Sequence, residues 1–230
     1  MATMPHASFS TARLKNIGRR VCRLCAQSGN GAQKYCDTIT IALDELERKR
    51  AEAEAKAIER DAAHDNAVHS DRTLDDAVRT ARDQCLEYER NNGFVPVVEK
   101  VFPDGIITPI IRTNRVKEQE KVRQVINRIR EIAPEGGRLA DIAAALEAVL
   151  DAALKAHDAL AEKTLECDDA KTGESLGRVK FIEQYNGVYH DACHEFGRRR
   201  AEYLFPDIPG RKNTADEESK INAEETTAAK

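Results

Sequence analysis

Cys22-Arg-Leu-Cys25 has the two-residue spacing shared by metal-binding and redox cysteine pairs, and four further cysteines stand at 36, 85, 167 and 193. Tetrahedral zinc needs four such ligands, and a disulfide needs two whose Cα atoms approach within ~7 Å. The spacing alone is a weak signal, because cysteine also packs as a small hydrophobe. A second cluster is Tyr189-His190-Asp191-Ala192-Cys193-His194, which sets two imidazoles and a thiol on neighbouring helical turns. Asp61/His64 repeats its Asp191/His194 spacing. A carboxylate-bridged metal bundle asks for Glu-x-x-His on two helices and an inward Glu from each of two others. Here Asp stands in place of that Glu, and on a helical wheel Asp191 points away from the Tyr189, Cys193, Phe196 seam. Satisfied core histidines fit this pattern better than ligands, His157 among Leu146, Leu150, Ala153 and Leu160 included.

Gly173-Glu-Ser-Leu-Gly177 matches the letters of a nucleophile elbow, a device that needs a buried strand before it. Polar, helix-forming residues 166–172 precede it instead, which predicts an inter-helix turn with Thr172 or Ser175 as N-cap. The chain contains no phosphate-cradling glycine loop, no HExxH and no calcium loop. Neither an enzyme nor a resident cofactor is expected.

Helices must position these groups. From Ala32 to Asn92 there is neither Gly nor Pro, and good helix formers dominate, so one helix is predicted over 35–92. Its apolar positions Tyr35, Ile39, Leu43 and Leu46, then Leu74, Val78, Ala81, Cys85 and Tyr88, recur at three- and four-residue spacing. A second periodic stretch runs through Val122, Val125, Ile126, Ile129 and Ile132, is broken or kinked at Pro134–Gly137, and resumes from Leu139 to near Asp169. An aromatic helix over 175–204 carries Phe181, Tyr185, Tyr189, Phe196 and Tyr203. The stretches 35–92 and 113–170 have equal length, which predicts an antiparallel pair.

The expected fold is therefore all-α: an elongated antiparallel helical bundle or coiled coil, with three or four helices at one end and a two-helix stalk at the other. Residues 1–33 form a basic amphipathic helix and linker, 34–204 the bundle with a tongue inserted at 94–112, and 205–230 a disordered polar tail. In this layout Cys22, Cys25, Cys36 and Cys167 gather at the base, as a metal site, as disulfides or as plain packing. Cys85 and Cys193 find no sulfur partner.

The tongue is the least helix-like stretch. Pro103-Asp104-Gly105 suits a three-residue hairpin loop, pairing Phe102 with Ile106, Val101 with Ile107 and Val98 with Ile110. With Phe94, Val95, Val97 and Ile111 these make ten large apolar side chains, and at ~1.5–3 kcal/mol each more than ~15 kcal/mol depends on what covers them. The stalk itself, another copy or protein, or a membrane are the candidates.

The first helix sets Arg13, Lys15, Arg19, Arg20 and Arg23 opposite Leu14, Ile17, Val21, Leu24 and Cys25, a pattern suited to an anionic membrane surface or to docking on an acidic bundle. A net charge of −4 argues against nucleic acid. No apolar run reaches ~20 residues and the start lacks a secretory h-region, so a cytoplasmic location is expected. An acid-free, Arg-rich start also fits a mitochondrial transit peptide. The expected function is a non-enzymatic scaffold or assembly protein with a protein partner or self-association and no small-molecule substrate. The alternatives are a membrane-acting protein and a metal-binding bundle.

Overall fold

The structure, a computed structural model, describes residues 4–29, 31–92, 95–103, 107–111, 115–133, 136–206 and 208. These residues are mostly helical, and no strand occurs among them. The helices are α1 (Thr11–Ser28), α2 (Gln33–Asn91), α3 (Val97–Val101), α4 (Thr108–Ile111), α5 (Arg115–Ile132), α6 (Arg138–Phe196) and α7 (Arg198–Leu204). The all-α expectation holds. Two compact units divide the chain: unit 1 is Met1–Ala55 with Asp168–Lys230, and unit 2 is Lys56–Cys167. α2 and α6 each contribute to both.

Unit 1 begins where the Ser10 hydroxyl accepts a hydrogen bond from the Arg13 amide and caps α1. Gly29, at φ 67°, ends the helix and turns the chain back into α2. α1 lies antiparallel on α2, and at their crossing a Cβ on Gly18 would come within 2.8 Å of Leu43, so glycine is what permits the approach. α6 packs on α2 through Phe181 and Tyr185, both about 1% exposed. α7 folds back against α1. It carries Phe205 into edge-on contact with Tyr185 at 5.3 Å and Tyr189 at 5.7 Å.

Two expectations fail in unit 1. The predicted turn at 171–175 is helix: the Thr172 hydroxyl donates to the Asp168 carbonyl one turn back, and Ser175 accepts from Arg178. Gly173 and Gly177 cost helix propensity, about 1 kcal/mol each, but Gly177 is a core position that lets Leu46 and Lys49 of α2 come close. The polar tail was expected from residue 205, yet Phe205 and Ile208 are buried. Residues 209–230 lie outside the described residues.

Unit 2 contains three long helical stretches where two were expected. α6 runs antiparallel to α2, joined by Lys56–Glu166 at 2.8 Å, Lys163–Glu59 at 3.1 Å and Arg138–Glu87 at 2.5 Å. Gly136 and Gly137, at φ 99° and 93°, turn the chain fully between α5 and α6, and Arg130 of α5 pairs with Glu147 of α6. α5 thus returns alongside its neighbours instead of extending α6. Its Val122, Val125, Ile126 and Ile129 are all buried against Leu74, Val78, Leu146 and Leu150. The length match is real but belongs to α2 and α6, of 59 residues each, and not to 35–92 and 113–170.

Candidate functional site

The expected hairpin strands are the short helices α3 and α4, both packed on α5. Val97, Val98, Val101, Phe102 and Ile110 are buried in the core of unit 2, with Ile107 and Ile111 partly buried beside them. Val95 remains exposed, while Phe94, Ile106 and the turn at Asp104-Gly105 lie outside the described residues. The Glu89 carboxylate accepts from the Val98 amide at 2.5 Å, and Arg128 donates to the Val101 carbonyl at 3.2 Å. Of the three possible covers, the unit's own helices are the one observed for these side chains. The spacing 97, 98, 101, 102, with Glu99 and Lys100 between, has helical period and not strand alternation. That signal was present in the sequence, and β-branched composition overrode it.

The basic residues of α1 sit on an acidic neighbour. Lys15 and Arg19 reach Glu47 of α2 at 2.9 and 3.5 Å, and the Arg13 guanidinium stacks 3.9 Å above the Phe9 ring. Arg20 and Arg23 are exposed on the same helix. Leu14, Val21 and Cys25 on the opposite arc are buried in unit 1. Thr11 adds a 2.5 Å hydrogen bond to Glu174 of α6.

All six cysteines are thiols. The Cys22 thiol lies 3.5 Å from the Cys36 carbonyl and 3.5 Å from the Thr40 hydroxyl, which is itself 3.9 Å from the Cys36 sulfur. Cys25 turns into the core, where burial pushes its thiol up to about 11. Cys167 is buried in unit 2. Three of the four sulfurs predicted to gather thus share the α1–α2 region, but no group of three or more His, Cys, Asp or Glu among the described residues is arranged to hold a metal ion. Cys25 faces inward, while Cys22 and Cys36 meet at the α1–α2 seam, so Cys25 does not join them.

Of the members of two polar clusters, the sequence pattern singled out Asp191, His194 and His157 without their partners. In unit 1 a furrow of about 610 Å³ is lined by Lys34, Tyr35, Thr38, Val188, Asp191, His194 and Glu195. Tyr35 donates to Glu195 at 2.5 Å, and burial together with that carboxylate raises the phenol. The bonded Lys34 ammonium, with Tyr35, holds Glu195 below the usual carboxylate range. In unit 2 Glu118 of α5 meets Asp75 and Asp71 of α2. Burial first, then the hydrogen-bonded Asp75, pushes Glu118 up to about 7. His157 of α6 bonds Asp71 at 2.6 Å, the satisfied histidine of the sequence reading.

Unit 2 also has an apolar groove of about 210 Å³ on the α2–α6 seam, lined by Ser70, Thr73, Ala148, Val149 and Ala152. The described helices include none long and apolar enough to cross a membrane. The fold is that of an all-α protein. No protein-family model, curated protein or solved structure matches this chain.

Proposed function

We propose that this chain is a non-enzymatic helical assembly protein that self-associates through the faces of its long helices. The observation that carries the reading is the small-residue groove of unit 2, where Ser70 and Thr73 of α2 face Ala148, Val149 and Ala152 of α6. No α5 residue lines it. Short side chains on two adjacent helices let a third helix approach and seat larger side chains between them. Ile58 and Leu165, 70% and 69% exposed on the same helices, supply apolar side chains of the size such a groove receives. The segment 97–111 takes no leading part in this reading, because most of its apolar side chains are spent inside unit 2. The membrane alternative draws on that same segment and on the apolar arc of α1, which unit 1 buries.

Ala152 is exposed, so Ala152→Arg fills the groove without entering a core. Light scattering over rising concentration should give the intact chain a mass above the monomer and return the variant to the monomer at unchanged helicity. A monomeric intact chain at every concentration removes the reading.

A further inference from the structure

We infer that Cys22 and Cys36 are a redox modification site, at which a disulfide staples α1 to α2. The two side chains come from different helices, flank the same Thr40 hydroxyl at 3.5 and 3.9 Å, and are both half-buried, so a small reagent can reach them. None of the other thiols is placed this way. Cys25, Cys85 and Cys167 are buried at 1% exposure or less, and Cys193 hydrogen-bonds Tyr189, its neighbour on α6.

The oxidant class is a low-molecular-weight disulfide. One protein thiolate attacks a sulfur of that reagent, its S–S bond breaks, and the first small thiol leaves. The second protein thiolate then attacks the protein-bound sulfur of the mixed disulfide, the Cys22–Cys36 bond forms, and the second small thiol leaves. Two protein thiols are oxidised, one small disulfide is reduced to two thiols, and the two protons pass through solvent to the leaving thiolates. Burial pushes the Cys22 thiol up to about 11, so attack by Cys22 is slow at neutral pH and quickens as the solution is made alkaline.

The bridge closes the α1–turn–α2 hairpin across 14 residues, at the end of α1 beyond the Lys15 and Arg19 contacts. It restricts every opening in which α1 leaves unit 1, and reduction restores that freedom.

Trypsin separates the candidates, because Arg23 divides Cys22 from Cys25 and Lys34 divides Cys25 from Cys36. The full chain is equilibrated with excess oxidised glutathione, alkylated, digested and read by mass spectrometry. The expected product joins peptide 21–23 to peptide 35–48, and dithiothreitol removes it. Bridged protein should also lose α1 to limited proteolysis at least about tenfold more slowly than reduced protein, and Cys22→Ser should abolish that difference. A 21–23 to 24–34 link, a link between copies or stable glutathione adducts on unbridged thiols overturns the site. A correct bridge with unchanged proteolysis of α1 overturns the staple.

Discussion

Unit 1 and unit 2 draw on the same two long helices and build their cores from different side chains. Unit 1 is filled by rings, with Tyr35, Phe181, Tyr185, Tyr189 and Phe205 buried together. Unit 2 is filled by Val, Leu, Ile and Ala, with Phe102 as the one fully buried ring among its described residues. Every glycine within a described helix, Gly18, Gly173, Gly177 and Gly187, falls in unit 1, where Gly18 and Gly177 face Leu43, Leu46 and Lys49 of α2. The middle of each long helix thus belongs to neither style and is bridged by charge, as at Lys56, Glu59, Lys163 and Glu166 in unit 2.

The largest test of this contrast removes one ring from each unit. Phe181→Ala and Phe102→Ala each delete a side chain about 1% exposed and should each cost about 3–5 kcal/mol. Hydrogen exchange should localise the loss. Phe181→Ala should speed exchange at 14–46 and 181–205, and Phe102→Ala at 74–85 and 122–150. Stability unaffected by Phe102→Ala would return that residue to the exposed tip that its composition suggests.

How far the sequence could be read follows the same division. α1, α2 and the start and end of α5 were legible, because glycine-free runs, helix breakers and helical apolar spacing act locally. Of the expected aromatic helix, Phe181, Tyr185 and Tyr189 are buried, whereas Tyr203 is exposed. The path of the chain was less legible. Equal length paired 35–92 with 113–170, but length cannot distinguish a kink from a reversal, and Gly136-Gly137 permits either. The Lys171–Ser175 stretch looked like a turn because glycine weakens helices, while the packing of Gly177 on Leu46 one turn later comes from α2. Folding α1 back on α2 placed Cys22, Cys25 and Cys36 in one region, but it set Cys25 and not Cys22 level with Cys36. The Glu118–Asp75 contact was not foreseeable, because it depends on α5 returning beside α2.

That carboxyl pair gives unit 2 a pH dependence opposite in sign to that of Glu195 in unit 1, which Lys34 and Tyr35 hold below the usual carboxylate range. Glu118 is raised from the ordinary 4.5 to about 7 in the folded chain. Between those values the folded state holds a proton that the unfolded state has lost, so the contribution is full below about 4.5 and is lost as pH rises through about 7. Partial exposure screens the effect to about 1 kcal/mol. Denaturant midpoints should show Glu118→Gln more stable than the native chain at pH 8 and equal to it at pH 4. Equal stability at both would mean that the two carboxyls are solvated separately.

The smallest effect sets two glycines of unit 1 against each other. At Gly187 a Cβ meets nothing within 4 Å, whereas at Gly18 it meets Leu43 at 2.8 Å. Alanine is the better helix former by about 1 kcal/mol at both sites. Gly187→Ala should therefore stabilise by up to about 1 kcal/mol. At Gly18 the same gain opposes a steric cost of about 1–3 kcal/mol from crowding a packed leucine. Gly18→Ala should thus be neutral to destabilising, with faster exchange confined to α1 and its contacts on α2. A stabilised Gly18→Ala would show that Leu43 yields freely, and the crossing of α1 over α2 would then be set by the ion pairs at Glu47 instead of by close packing.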